Sequence, residues 1–260
     1  MHTKFSLAHA QTIATQLAKE CGQIIRSNLH IGTNRTWKAD HTPVTEVDQQ
    51  INALILRTIH QEFPEHNILS EEGSDLTKSP EYVWVCDPLD GTFPFMHGVP
   101  LSTVAISLVY HGQPILGVIY DPFMDRLFVG NNNKTTLNGK PIHTSPVTSL
   151  VDTSLGVVFW QDNADLITPI LNRLAHINVK LHDYASVAYM DSLVASGEFS
   201  AVIFPGLSAH DSAAAKAVVE GAGGVFTSLT GELDRYDQPV HGHLAAANPS
   251  IYQEIRNLMV

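Results

Sequence analysis

The run Tyr82-Val83-Trp84-Val85-Cys86 leads directly into Asp87-Pro88-Leu89-Asp90-Gly91-Thr92, and this junction constrains the fold more than any other stretch of the chain. Five consecutive β-branched, aromatic or small apolar residues predict a buried strand. Pro88 has no N–H to give to a central ladder, so the strand is predicted to stop at Asp87. In the turn that follows, Asp87, Asp90 and the free carbonyls converge. Gly91 and Thr92 can then offer backbone N–H groups to an anion.

Two further acidic segments accompany it: Ser70-Glu71-Glu72-Gly73 and Ala209-His210-Asp211-Ser212-Ala213-Ala214. Taken singly, each has an ordinary reading. Asp211 is a helix N-cap, Glu71-Glu72-Gly73 a solvated turn, and Asp87–Thr92 an Asx-type turn. Taken together they gather four carboxylates. Two unit charges about 4 Å apart repel by roughly 4 kcal/mol at an effective dielectric of 20, so such a cluster calls for protonation or for cations. Oxygen-only ligands select hard ions, Mg²⁺ before zinc or copper. Carboxylates for a hard cation beside N–H donors for a phosphate form the pattern of a metal-dependent phosphatase site.

The rest of the chain predicts the frame. Residues 5–29 place Ile13, Leu17, Cys21, Ile24 and Ile25 at helical spacing. Trp37 to Pro43 reads as a polar hairpin or loop. Thr45 with Asp48 resembles a capping box opening a helix striped by Ile51, Leu54, Ile55 and Ile59. Ile68-Leu69 is a short strand. Stretches 101–110, 114–120 and 126–130 form an antiparallel meander, with a tight turn at Leu137-Asn138-Gly139-Lys140. Beyond residue 150 the pattern alternates: strands at 155–160, 201–204 and 224–226, helices at 165–175, 186–195 and 212–220. The chain is therefore expected to divide into 1–149, an α+β half with an antiparallel sheet and most of the acids, and 150–260, an α/β half supplying Asp211.

With 15 Lys+Arg against 26 Asp+Glu the net charge is −11, which argues against nucleic acid or anionic membranes as partners. No stretch approaches the roughly 20 apolar residues of a membrane span, and Leu7–Leu17 lacks the pattern of a secretion signal. Two cysteines without CxxC spacing point to a reducing cytoplasm rather than to a disulfide or zinc framework. The 14 histidines are scattered, with no HxH or HExxH pattern.

These pieces together resemble the inositol monophosphatase family of lithium-sensitive, Mg²⁺-dependent phosphatases. The resemblance rests on Lys38 to Asp48, Ile68 to Gly73, Trp84 to Thr92, Phe95-Met96-His97-Gly98, Leu137 to Pro141, His210 to Ala214 and Val219 to Gly224. It implies an α/β fold layered as an αβαβα sandwich, two to three Mg²⁺ ions, a small phosphorylated metabolite as substrate, and usually a homodimer. It also implies that Glu71, Asp87 and the Leu89 carbonyl hold one ion, and that Asp87, Asp90 and Asp211 hold a second. A weaker third ion would lean on Glu71. Thr92 would orient the attacking water with Asp48 hydrogen-bonded behind it, and the N–H groups of Gly91 and Thr92 would hold the phosphate. Asp90, Ala185, Ser186 and Phe204 would face the rest of the substrate.

The sequence departs from the family pattern near the substrate. His210 stands where Trp is frequent, Phe204 where inositol-specific members carry Glu, Ala185-Ser186 where Gly-Thr or Gly-Ser is usual, and Pro94 where Asn follows. Phe accepts no hydroxyl hydrogen bond, which weakens the case for tight inositol recognition. Lys38 to Asp48, Phe63 to His66 and Gly112 to Val118 resemble the histidinol-phosphate phosphatase branch. Tyr120 to Phe128 resembles the broad bacterial inositol phosphatases. Inositol 1-phosphate is the default substrate. Histidinol phosphate is the alternative, with Asp183, Tyr184 and Phe204 as a wall for its amine. Adenosine 3′,5′-bisphosphate or fructose 1,6-bisphosphate ranks lower, and a non-catalytic interaction protein lowest.

Overall fold

Val83 and Val85 face one side of their strand while Trp84 and Cys86 face the other, and the two pairs belong to different apolar cores. That two-residue alternation is what a sheet covered on both sides requires. The computed structural model describes residues 5–30, 35–37, 43–131, 133–159 and 163–259. Its helices are α1 (Leu7–Asn28), α2 (Glu46–Glu62), α3 (Thr92–Met96), α4 (Ala164–Leu174), α5 (Val187–Ala195), α6 (Ala209–Gly221) and α7 (Pro249–Met259). Strands β1 (Arg35–Trp37) and β2 (Pro43–Thr45) pair antiparallel as a small ribbon.

The larger sheet comprises β3 (His66–Ser70), β4 (Ser79–Asp90), β5 (Thr103–Tyr110), β6 (Gln113–Asp121), β7 (Arg126–Asn131), β8 (Lys134–Leu137) and β9 (Lys140–Ile142), in chain order across the sheet. Only the β3–β4 pair is parallel; the others form the expected antiparallel meander. The smaller sheet comprises β10 (Ser154–Val157), β11 (Lys180–His182), β12 (Ala201–Phe204), β13 (Val225–Ser228) and β14 (His243–Ala246), in the order β11-β10-β12-β14-β13. β10 runs parallel to β11 and β12, and β14 antiparallel to β12 and β13.

The cores define five layers. Leu17, Cys21 and Ile25 of α1 and Ile51, Ile55 and Ile59 of α2 cover one face of the large sheet on Trp84, Ile106 and Val118. Its other face packs on α5 and α6, which also contact Val202, Phe204 and Phe226 of the small sheet. Ile167 and Ile170 of α4 with Ile251 and Ile255 of α7 close the outer face of the small sheet. This is the αβαβα sandwich. The middle layer is close-fitting: a Cβ added to Gly117 would stand 2.3 Å from the Ala214 carbonyl oxygen, and one on Gly130 2.4 Å from that of Ala217. Both glycines let α6 lie directly on β6 and β7.

Several expectations need correction. β4 does not stop at Asp87 but continues to Asp90, because the ladder absorbs Pro88 and Leu89 as a bulge: Asp87 pairs with Ala105 and Asp90 with Thr103. Asp211 is not the cap of α6. Ser208 is its N-cap, and Asp211 lies in the first turn. β10 ends at Val157, and Trp160 lies outside the described residues, as do Lys38 to Thr42. β11, β14 and α7 were not expected at all.

Candidate active site

A bulge, two helix starts and a capping box assemble the site. In a regular strand, residues three apart point to opposite faces. The extra residue in β4 reverses that parity, so Asp87 and Asp90 project to the same side. Pro88 sits where the ladder is interrupted and its missing N–H is not needed. From the first turn of α6, Asp211 completes the set. Oxygen atoms of Asp87, Asp90 and Asp211 lie within 4.8 Å of one another. Glu71, directly after β3, is outside this triad, although its charge reaches Asp87.

Each carboxylate is held differently. Asp87 is 3 % exposed and accepts one bond from the Leu89 N–H, 2.9 Å to Oδ1. Burial, and then the charges of Glu71, Asp90 and Asp211, push its carboxyl well above the usual range. Asp90 works as a borrowed cap for α5. Its Oδ1 accepts from the Val187 N–H at 2.8 Å. Its Oδ2 accepts from Ser186 Oγ at 2.6 Å, Thr103 Oγ1 at 2.9 Å and the Tyr189 N–H at 3.3 Å. Burial raises the Asp90 carboxyl to about 6 even against those four donors. With Oδ2 fully engaged, Oδ1 retains the freer lone pair for a cation.

Asp48 closes the capping box of α2. It accepts from the Thr45 N–H at 2.8 Å, while Thr45 Oγ1 receives the Val47 N–H at 3.2 Å. On its other oxygen Asp48 accepts from Thr92 Oγ1 at 3.0 Å. The same Thr92 hydroxyl lies 3.1 Å from the Leu89 carbonyl. Burial raises the Asp48 carboxyl, partly offset by the bonds from Thr45 and Thr92. Gly91, between Asp90 and Thr92, has φ +89, and a Cβ there would meet the Leu101 carbonyl at 2.7 Å. Only glycine makes this turn without strain.

The expected substrate-facing residues behave differently from one another. Ala185 is exposed and adopts φ +52, an unusual conformation for a residue with a side chain. Ser186 is fully buried and its hydroxyl is committed to Asp90, so it supports that carboxylate instead of meeting a ligand. Phe204 is enclosed in the middle core, 3 % exposed, its ring 5.1 Å from that of His243. β12 turns it toward that core, with the same slight exposure as Asp87 and Asp90. His210 was noted only as a departure; its Nε2 lies 3.7 Å from Asp211 Oδ2, and it is one-fifth exposed. Thr103 was missed as a donor to Asp90. Nothing in a β-strand threonine marks it without the sheet register.

The fit to a hard divalent cation rests on this donor set: carboxylate oxygens only, close together, and acidic groups strained by one another's charge. A layered αβαβα phosphatase fold with an aspartate cluster at one end of its middle helices is the class so defined. Residues 6–259 match the group described as the Inositol monophosphatase family. The chain is 36 % identical over 259 residues to "Inositol monophosphatase 1" of Solanum lycopersicum, covering 95 % of this chain and 93 % of that one. It is 32 % identical over 256 residues to "Nus factor SuhB" of Pseudomonas aeruginosa, covering 94 % and 93 %. Among solved structures it is similar to the inositol monophosphatase from Anabaena (Nostoc) sp. PCC 7120, with TM-score 0.85, 29 % identity and coverage of 97 % and 96 %. The chain belongs to the inositol monophosphatase family and is a phosphoric monoester hydrolase. Among the described residues no helix is long and apolar enough to cross a membrane.

Proposed function

We propose that this chain is a Mg²⁺-dependent phosphomonoesterase for small polyol or sugar phosphates, inositol 1-phosphate first among them, working as a homodimer in a reducing cytoplasm. The observation that carries this reading is the approach of Asp87, Asp90 and Asp211 to within 4.8 Å. Glu71, Asp87 and the Leu89 carbonyl hold one ion, Asp87, Asp90 and Asp211 a second, and Glu71 contributes to a weaker third. When bound, Mg²⁺ supplies Lewis acidity, lowering the pKa of a water and neutralising phosphoryl and leaving-group charge.

The chain's own residues supply position. Thr92 gives its proton toward Asp48, which leaves its oxygen lone pairs to accept a hydrogen from the attacking water. Asp48, raised by burial yet bonded by three donor groups, fixes that hydroxyl's direction. The N–H groups of Gly91 and Thr92 hold the phosphate oxygens, and glycine at 91 lets the chain approach closely. Asp90 and the Ala185 backbone bound the remainder of the substrate.

One observation favours a second reading, an amine-bearing ester of the histidinol-phosphate type. Asp183 is exposed just before α5, beside the half-buried Tyr184, and both stand close in sequence to the Asp90-bonded Ser186. Phosphate release with Mg²⁺ is the test. Its panel is inositol 1-phosphate, histidinol phosphate, fructose 1,6-bisphosphate and adenosine 3′,5′-bisphosphate. The physiological substrate should lead the panel by about a hundredfold in kcat/KM, about 2.7 kcal/mol of transition-state discrimination, and a lead for inositol 1-phosphate supports the first reading. A lead for histidinol phosphate transfers the assignment to the amine reading. Absence of release from all four overturns the phosphatase proposal for these substrates.

A further inference from the structure

α5, α6 and β14 gather a second set of buried polar side chains that the proposed chemistry does not use. His243 of β14 is 1 % exposed. Its Nε2 lies 2.9 Å from Asp191 Oδ2 on α5, and its Nδ1 2.8 Å from Ser212 Oγ on α6. Asp191 and Ser212 are both fully buried. Phe204 and Phe226 close over the imidazole with ring centroids at 5.1 and 4.4 Å. An Asp–His–Ser order is also that of a hydrolytic triad, but no substrate reaches a serine enclosed in this way. An ionised Asp191 only accepts, so in the neutral ring Nε2 carries the hydrogen and the Ser212 hydroxyl donates to Nδ1.

Stability alone does not account for such a set. Well-packed apolar residues usually hold a core as firmly as a buried charged pair does. What the polar set adds is direction, because each bond fixes a distance and an angle between two elements. Asp191 lies about one turn into the helix whose first N–H groups are held by Asp90. Ser212 is the residue after Asp211. The three side chains therefore join the helix anchored on Asp90 to the helix that carries Asp211, and those two carboxylates must meet within 4.8 Å.

We infer that Asp191, His243 and Ser212 are positioning residues that set how Asp211 is presented to Asp90, and so set the affinity of the carboxylate cluster for a divalent cation. The inference rests on the proposed Mg²⁺ role of Asp90 and Asp211. It concerns cation affinity, so its readout is calorimetric titration of Mg²⁺ into the full chain, without substrate. Ser212→Ala removes only a hydroxyl and keeps a strong helix former. It should weaken Mg²⁺ binding roughly 10- to 100-fold, the usual effect of losing a group that orients a ligand. His243→Gln, which keeps one donor and one acceptor, should hold Mg²⁺ affinity close to that of the native chain.

The double variant Asp191→Leu/His243→Leu replaces the polar pair by apolar volume. It should unfold at a temperature close to that of the native chain and still bind Mg²⁺ at least about tenfold more weakly. It also carries the test if Ser212→Ala does not fold. A merely structural role predicts the reverse, with native affinity wherever the fold survives. Asp211→Asn serves as the control. If it loses Mg²⁺ while the folded relay variants bind within twofold of the native chain, this inference is overturned and the metal assignment stands. If the native chain itself binds no Mg²⁺, both fall.

Discussion

Two buried polar clusters share the same pair of helices, and they differ in how many acids they crowd together. At the starts of α5 and α6, three aspartates crowd within 4.8 Å, with Glu71 adding to the charge on Asp87. Further along the helices a single aspartate, Asp191, meets the His243 imidazole through Oδ2, the imidazole in turn meets the Ser212 hydroxyl, and Asp191 Oδ1 is buried without a hydrogen-bond partner. Burial raises the carboxyls of Asp87 and Asp191 alike, but their neighbours act in opposite directions. Other acids push Asp87 higher still, whereas His243 draws Asp191 back. Crowding separates scaffold from site: a lone aspartate bonded to an imidazole has no other acid beside it, while the crowded, unmatched set calls for a cation from outside.

The sharpest way to break this contrast is to neutralise one acid of the unmatched set. Asp87→Asn should reduce phosphate release by on the order of 10³-fold or more. The same change should raise the melting temperature of the metal-free chain, since it removes repulsion. A destabilised Asp87→Asn protein with intact turnover would invert the assignment. Next in size, Thr92→Val should lower kcat by roughly 10²- to 10³-fold with little effect on Mg²⁺ affinity if, as proposed, it removes the water-orienting hydroxyl and no metal ligand.

The pH dependence follows from Asp90. Its folded carboxyl, at about 6, lies above the ordinary 3.8, so the folded chain binds the proton more tightly than the unfolded one. Stability from this group is present in full below pH 3.8 and is lost as pH rises through 6. For a buried carboxyl that is about 3 kcal/mol. The proposed Mg²⁺ site needs the ionised forms, so the rise in melting temperature on adding Mg²⁺ should be small at pH 5 and large at pH 7.5. Calorimetric or fluorescence melts with and without chelator measure it, and a rise independent of pH would contradict it. The smallest expected effect is at the rim. Ala185→Gly relieves a φ of +52 and should stabilise the chain by about 0.5–1 kcal/mol, leaving kcat within twofold.

The acidic site was legible in sequence because its parts carry local signals: a strand running into a proline, a glycine that alone fits its turn, and Thr45 with Asp48 in a capping box. The unbroken apolar run Tyr82–Cys86 likewise announced a buried strand. What stayed hidden depends on register and on long-range packing. The bulge at Pro88-Leu89 is visible only once Asp87 is paired with Ala105 and Asp90 with Thr103. β14, His243-Leu244-Ala245-Ala246, is half alanine and has weak strand preference; neighbours on both sides make it a strand. Asp191 and His243 lie 52 residues apart, and nothing local marks either as the other's partner. The burial of Phe204 was hidden for the same reason, since a residue's place relative to a motif does not fix the face to which a strand turns it.

The central claim is that the unmatched carboxylates are a divalent-cation site, and diffraction tests it most directly. Mn²⁺ accepts the same oxygen ligands as Mg²⁺ and scatters anomalously. Crystals grown with Mn²⁺ should show an anomalous peak bounded by Asp87, Asp90 and Asp211, with a second toward Glu71 and the Leu89 carbonyl. Strong Mn²⁺ peaks elsewhere, with none between the three aspartates, would contradict the account.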